Sequence, residues 1–210
     1  MWVVAAYLCG ALPFGLLIGK ACGVDVRGVG SGNIGATNVG RVLGRSWGVF
    51  CLLLDVLKGL VPVWCCGAAM GLLTEQLPAA DAWRWLAVAL AAVLGHIYPI
   101  WLRGRGGKGV ATGLGVMLGL WPWMTLPAAV GVVLWLIVVA ACRYVGLASV
   151  VAAISLPMVV CITGLIRDGV DSQAALPFLI VSAVMALLVA WRHRGNLART
   201  LAGTEPKIGS

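Results

Sequence analysis

The chain has 210 residues, 61% of them hydrophobic and only 10% charged, with a mean hydropathy of +1.02. The interior of a soluble domain of this length could not hide so much apolar side chain, which excludes the water-soluble class and leaves an integral membrane protein. The formal net charge of +8 reads first as basic cytoplasmic loops of a membrane chain, and no nucleic-acid partner is expected from it.

The apolar runs are long, continuous and rich in Leu, Val and Ala, without period-two alternation, so a barrel is excluded. The first run, 2–18, has no basic residue ahead of it, and Lys20 follows it; this reverses the order of a signal peptide and predicts a retained first span. A glycine-rich segment comes next, GSGNIGATNVGR over 30–41. Its glycines, Gly32 and Gly35 among them, allow positive φ and close backbone approach, so that successive N–H groups can form an anion nest. Ser31, Asn33 and Thr37 add side-chain donors, and Arg41 adds a fork suited to phosphate. GSGNIG also matches a dinucleotide fingerprint, but no strand–helix–strand unit surrounds it and Asp55, at the ribose-acid spacing, falls inside an apolar run.

The second run, 47–73, contains Asp55 and Lys58 at i,i+3 on one helical face, where they are expected to neutralise each other as a structural pair between helices. The third run, 83–101, leads into GHIYPIWLRGRGGKG over 95–109. This is not a Walker loop, because Val110 follows Lys108 where Ser or Thr would hold magnesium. As a phosphate cradle it is coherent: Gly106, Gly107 and Gly109 are compliant, Lys108 is a point charge, and a helix begins at Val110. His96 opens the segment and is read in a packing or hydrogen-bonding role.

The fourth run, 110–142, is too long for one span of roughly 20 residues. Runs at 147–166 and 174–191 follow, and the chain ends in HRGNLARTLAGTEPKI over 193–208. There His193, Arg194 and Asn196 form a compact polar group at a membrane exit, suited to ligand contact, and Glu205 is expected to pair with Lys207 on the surface of the tail.

Charge fixes the topology. Lys20, Arg27, Arg41 and Arg45; Arg103, Arg105 and Lys108; Arg143; and Arg192, Arg194, Arg199 and Lys207 make up twelve of the 15 basic residues. The connections 74–82 and 167–173 instead hold Glu75, Asp81, Asp168 and Asp171 against Arg167. Every basic cluster falls on one side only if 110–142 breaks in two, at Trp121-Pro122-Trp123 or near Pro127, into helices of about 12 to 18 residues. The expectation is an all-α integral membrane protein of seven transmembrane helices, N-terminus outside and C-terminus cytoplasmic, forming a single domain over 1–210. The seven cysteines show no CxxC and no His/Cys cluster, so neither a disulfide framework nor a metal site is expected.

Taken together, SGNIGATNVGR, GHIYPIWLRGRGGKGVATGLG and HRGNLARTLAGTEPKI resemble the three signature motifs of the bacterial acyl-phosphate-dependent glycerol-3-phosphate acyltransferases, the PlsY family. The resemblance extends over nearly the whole chain in motif order and spacing, and LDVLKG and RYVGLAS also look familial. Family members often carry Ser where Gly146 stands; the nearby hydroxyl here is that of Ser149. The resemblance implies transfer of a fatty acyl group from acyl-phosphate to the 1-hydroxyl of sn-glycerol 3-phosphate, giving lysophosphatidic acid and phosphate. It implies no cofactor, no obligatory protein partner, and a site on the cytoplasmic face of the bacterial inner membrane, in contact with membrane lipid. By the same resemblance Ser31, Arg41, Lys108, His193, Arg194 and Asn196 hold glycerol 3-phosphate and orient its hydroxyl, Ser31, Lys108, His193 and Asn196 being the catalytic set. The glycine loops, with Gly32, Asn33, Gly35, Gly106, Gly107, Lys108 and Gly109, cradle the acyl-phosphate, and His96 supports them.

Neither histidine begins an HxxxxD motif, since Trp101 and Ala198 stand at the fifth positions. Two routes for the proton stay open: a donor phosphate oxygen, or His193 as general base. A magnesium-dependent lipid transferase would need clustered aspartates, whereas the basic segments offer only Asp25 and Glu205. The non-enzyme alternative is a small anion or lysolipid transporter with a basic mouth.

Overall fold

The computed structural model describes residues 1–168 and 175–209, without the side chains of Arg167 and Asp168; Asp171 lies outside the described residues. All regular structure among the described residues is helical. In chain order the helices are α1 (Trp2–Gly10), α2 (Phe14–Ala21), α3 (Ala36–Leu43), α4 (Arg45–Ala69), α5 (Ala79–Ile97), α6 (Val110–Gly119), α7 (Thr125–Cys142), α8 (Val145–Asp168), α9 (Ala175–Arg192) and α10 (Arg194–Leu201), with a 3₁₀ turn at Ile100–Leu102.

Six stretches are long and apolar enough to cross a membrane: Trp2–Ala21, Arg45–Ala69, Ala79–Leu102, Thr125–Cys142, Val145–Ile166 and Ala175–Arg192. The long fourth run does break, between Gly119 and Thr125, around Trp121-Pro122-Trp123. Its halves are unequal. α7 has 18 residues, while α6 has 10, a rise of about 15 Å against a hydrocarbon core of about 30 Å. Pro127, the other break point considered, sits in the first turn of α7, where a missing N–H costs nothing.

A second break was not anticipated. The first span is two helices, interrupted at 11–13, where Pro13 has no N–H to continue the ladder. A break at membrane depth strands carbonyls that water cannot reach. The Leu12 carbonyl accepts both the Phe14 N–H at 3.1 Å and the Lys58 ammonium at 2.7 Å, and Lys58 is paired with Asp55 at 2.7 Å. Both side chains are essentially buried, so the expected structural pair is present, and removing one partner alone would cost about 3–5 kcal/mol.

The chain divides into two compact units, one formed by 1–73 and 87–121, the other by 74–86 and 122–210. In the first unit small residues let helices touch at the backbone. A Cβ on Gly10 would collide with the Ala92 carbonyl and one on Gly95 with that of Tyr7, binding α1 to α5. Between α4 and α6, Gly59 faces the Thr112 carbonyl, Gly115 faces that of Val56, and a Cβ on Gly119 would lie 3.0 Å from that of Leu60. Gly115→Ala is therefore expected to force the α4–α6 crossing apart, costing about 1–3 kcal/mol, read as a fall of several degrees in the melting temperature of the detergent-solubilised protein. An unchanged melting temperature would mean that the crossing is slack.

In the second unit α8 packs against α7 and α9. Trp123 stacks on Phe178 with ring centroids 5.1 Å apart and donates its indole N–H to the Thr74 carbonyl at 2.9 Å. The tail is tied down at its end. Arg143, left-handed at φ 62°, donates Nε and Nη2 to the Ile208 carbonyl at 3.1 and 2.8 Å and accepts the Ile208 N–H at 2.9 Å.

Candidate active site

The first polar segment is organised by a residue the sequence reading passed over. Asn38, in the first turn of α3 and 1% exposed, donates from Nδ2 to the carbonyls of Val26 (2.9 Å) and Val29 (3.1 Å) and accepts the Ser31 N–H at 2.7 Å. Gly30 and Gly32 take left-handed φ of +64° and +68°, and a Cβ on Gly30 would collide with Asn38 Oδ1. Asn33 accepts the Gly35 N–H at 2.8 Å, an Asx turn leading into α3. Ser31, Gly32, Thr37 and Arg41 are left on the exposed side. Upstream, Asp25 and Arg27 form a multiply bonded pair, with Arg27 Nη2 to Asp25 Oδ2 at 2.6 Å. The Arg27 guanidinium pulls the Asp25 carboxyl down to about 2 from an ordinary 3.8. A depressed carboxyl contributes its pairing above the ordinary value and loses it only as pH falls through about 2, so the pair is charged on both sides at neutral pH.

The second segment folds back on the end of α5. Gly106 N–H bonds the Ile97 carbonyl and Gly107 N–H the His96 carbonyl, each at 3.1 Å, and Gly104 N–H bonds the Pro99 carbonyl at 3.0 Å. Gly107 lies directly on the His96 ring, where a Cβ would collide with Nε2. Gly109, at φ 84°, caps α6, so half-buried Lys108 sits between a glycine pressed on His96 and a helix N-terminus. His96 itself is 4% exposed, with Nδ1 3.7 Å from Asp55 Oδ1.

One apolar cluster carries both segments. Leu16, Ile18, Val26, Ile34, Val39 and Cys51 form it, and Leu102 packs against it beside Ala36 and Leu43. Ser31, Gly32, Asn33, Gly35, Arg41, His96, Gly106, Lys108 and Gly109 therefore belong to one unit. The anion-nest expectation needs correction, however. The N–H groups of Ser31, Gly32, Gly35, Gly106 and Gly107 all have internal acceptors, which takes these five donors out of the nest.

The third segment lies in the other unit. His193, 3% exposed, donates from Nδ1 to the Val189 carbonyl at 2.8 Å; that assignment makes Nε2 the basic nitrogen. Arg194 lies over the Trp191 ring at 4.6 Å and donates to the Trp191 carbonyl at 3.0 Å. Asn196 donates Nδ2 to Glu205 Oε1 at 2.5 Å, while Arg199 Nε reaches Glu205 Oε2 at 2.7 Å. Glu205 was expected in a surface pair with Lys207. It is instead buried and committed to Asn196 and Arg199, and Lys207 extends over the Tyr144 ring at 5.7 Å. Ser149 supplies no hydroxyl in place of one at 146: it donates to the Val145 carbonyl at 2.8 Å and accepts from Trp135 Nε1 at 3.2 Å. At Gly146 itself a Cβ would stand 2.8 Å from the Asn196 Cβ, so glycine allows α10 to approach α8.

Each described carboxylate of these segments is thus held by a cation, Asp25 by Arg27 and Glu205 by Arg199, which leaves the surrounding field positive. No group of three or more metal-ligating side chains occurs among the described residues.

Comparison with known proteins identifies the family. The family model for glycerol-3-phosphate acyltransferase matches residues 1–203. The chain is 46% identical over 204 residues to the glycerol-3-phosphate acyltransferase of Geobacter sulfurreducens, covering 97% of this chain and 94% of that one. It is 43% identical over 204 residues to that of Prochlorococcus marinus, with the same coverage. Among solved structures it is similar to PlsY (YgiH), an integral membrane glycerol 3-phosphate acyltransferase, in its glycerol 3-phosphate form: the TM-score is 0.84 at 38% identity, over 99% of this chain and 94% of that one. The lysophosphatidic acid form gives a TM-score of 0.82. With the family model matching residues 1–203 and relatives covering nearly its whole length, this chain belongs to the glycerol-3-phosphate acyltransferase family.

Proposed function

We propose that the chain transfers an acyl group from a long-chain acyl-phosphate to the 1-hydroxyl of sn-glycerol 3-phosphate, at the cytoplasmic face of the bacterial inner membrane. The observation that carries the reading is the common apolar cluster beneath the Ser31–Arg41 loop and the Lys108 loop. It sets two phosphate-seeking segments together beside apolar helices, which suits one water-borne and one lipid-borne phosphate. The protein acts as one domain over 1–210. It crosses seven times, α6 included, with its N-terminus outside, because only that count leaves Lys108, Arg41 and the His193–Asn196 segment on one side.

In the reaction the acceptor oxygen attacks the acyl carbonyl carbon, a tetrahedral oxyanion forms, and the bond from carbonyl carbon to phosphate oxygen breaks. Phosphate is a good leaving group, so positioning and charge stabilisation suffice. The hydroxyl proton passes to an oxygen of the departing phosphate, which leaves as inorganic phosphate. Ser31, Arg41, Arg194 and Asn196 bind and orient glycerol 3-phosphate; Lys108 neutralises the donor phosphate and the developing oxyanion. His193, whose Nδ1–H is held by the Val189 carbonyl, accepts a hydrogen bond from the acceptor hydroxyl through Nε2 and keeps it aimed.

Purified protein given acyl-phosphate and glycerol 3-phosphate is expected to form lysophosphatidic acid and phosphate in equal amounts, with acyl-CoA inert as donor. Glycerol 3-phosphate uptake into vesicles without phosphate release would favour a transporter and end the proposal. His193→Gln, which retains an acceptor but no base, is expected to keep kcat within about tenfold of the parent with an unchanged pH profile. A loss of 10³ or more together with a vanished pH limb would return the proton to His193.

A further inference from the structure

The buried polar cluster of the first unit connects the break in the first span to the Lys108 loop. Lys58 on α4 donates to the Leu12 carbonyl at the Pro13 break, which also accepts the Phe14 N–H at 3.1 Å, and lies 5.6 Å from the Phe14 ring centroid. Asp55, one turn earlier, holds Lys58 at 2.7 Å through Oδ1, receives the Cys51 thiol at 3.8 Å through Oδ2, and stands 3.7 Å from His96 Nδ1. His96 then supports the loop twice, by its carbonyl to the Gly107 N–H at 3.1 Å and by its ring against the Gly107 backbone. Lys108 is the next residue.

An ion pair alone would not need this arrangement. Asp55 and Lys58, neighbours on one helix, could neutralise each other wherever α4 ran. The cluster instead has α4 reading the position of two other elements, the α1–α2 break through Lys58 and the end of α5 through Asp55. Gly107 permits this only because it lacks a Cβ.

We propose that Asp55 is a positioning residue for the 103–109 loop, acting through His96, and that Lys58 fixes Asp55 by anchoring to the Leu12 carbonyl. The cluster sets where the Lys108 ammonium is held relative to substrate phosphate. Neither Asp55 nor Lys58 touches substrate. The kinetic arm rests on the acyltransfer reading above; the exchange arm does not.

Asp55→Asn/Lys58→Gln removes both charges while keeping hydrogen-bonding groups at both sites, so a pair serving only to neutralise charge should tolerate it. The expected result is faster amide exchange over 104–109, by tenfold or more, and a KM for acyl-phosphate raised about tenfold with kcat changed less than threefold. Asp55→Glu is expected to recover part of the KM. Wild-type exchange over 104–109 in the double variant overturns the proposal whether or not the enzyme turns over these substrates. Wild-type protein inactive on them, with the exchange change present, overturns only the acyltransfer reading. If the double variant does not fold, His96→Gln carries the test with the Asp55–Lys58 pair intact: raised loop exchange supports the proposal and unchanged exchange overturns it.

Discussion

Lys108→Met is expected to lower kcat/KM by about 10²–10³ with little change in melting temperature. Methionine retains the apolar stem and removes the ammonium, so the half-buried contact is kept and the charge alone is lost. Loss of one preorganised group at a developing oxyanion typically costs about 10²–10³ in rate, or roughly 3–4 kcal/mol. Two features of the loop argue for the upper end. Lys108 is followed by Gly109, whose left-handed φ opens α6, so the ammonium and the helix N-terminus act in the same direction on an anion. In addition, the neighbouring glycine N–H groups cap α5, leaving fewer backbone donors to compensate. Lys108→Arg should not rescue fully, because a planar fork does not replace a compact point charge. Steady-state kinetics with both substrates varied, beside thermal melting, decide the matter. A variant with near-parent kcat/KM would move the charge role to Arg41 or Arg194.

The extent to which the sequence disclosed this arrangement depends on the kind of signal. Apolar runs gave the helices, since a membrane span is specified by length and hydropathy alone; charge placement predicted a break in 110–142, and the chain breaks at 120–124. The 11–13 break was hidden, because Pro13 lies within an apolar run that is long enough for one span and the Leu12 carbonyl at the break is bonded by Lys58 from another helix. Asp55 and Lys58 were legible as a pair because i,i+3 spacing is local. Their contacts with Leu12 and His96 were not, because 46 residues separate Lys58 from Leu12. Asn38 was masked by the glycines around it, which advertise an anion nest whereas its buried amide organises the loop. A lone amide in the first turn of a polar helix between glycines was the available signal. Glu205 misled by position: fourth from last in an otherwise basic motif, it reads as surface charge, yet both its oxygens face inward.

Glu205→Ala is expected to abolish most activity without contact between Glu205 and substrate. The carboxylate is 4% exposed and bridges two points of α10, Asn196 at 2.5 Å and Arg199 at 2.7 Å, while its own N–H bonds the Arg199 carbonyl at 3.1 Å. It therefore closes 196–205 into a loop whose geometry fixes the Asn196 amide. Removing it leaves Asn196 Nδ2 without its charged acceptor and frees Arg199, which is half exposed and regains water. The loss of hydrogen bonds to a charged group is about 1.5–3 kcal/mol, lowered on the Arg199 side by solvent screening. The catalytic effect should exceed that, because an Asn196 displaced by about 1 Å can cost a hundredfold. Glu205→Gln should fall between, since its amide oxygen can still accept from Asn196 while the Arg199 pair weakens. The tail beyond stays tied by Arg143 to the Ile208 carbonyl, so fraying should be confined to 194–205, and hydrogen exchange can localise it there. Glu205→Ala with parent kcat, parent KM and unchanged exchange over 194–205 would show that Asn196 is positioned by α8 packing at Gly146 instead, and Gly146→Ala would then carry the large loss.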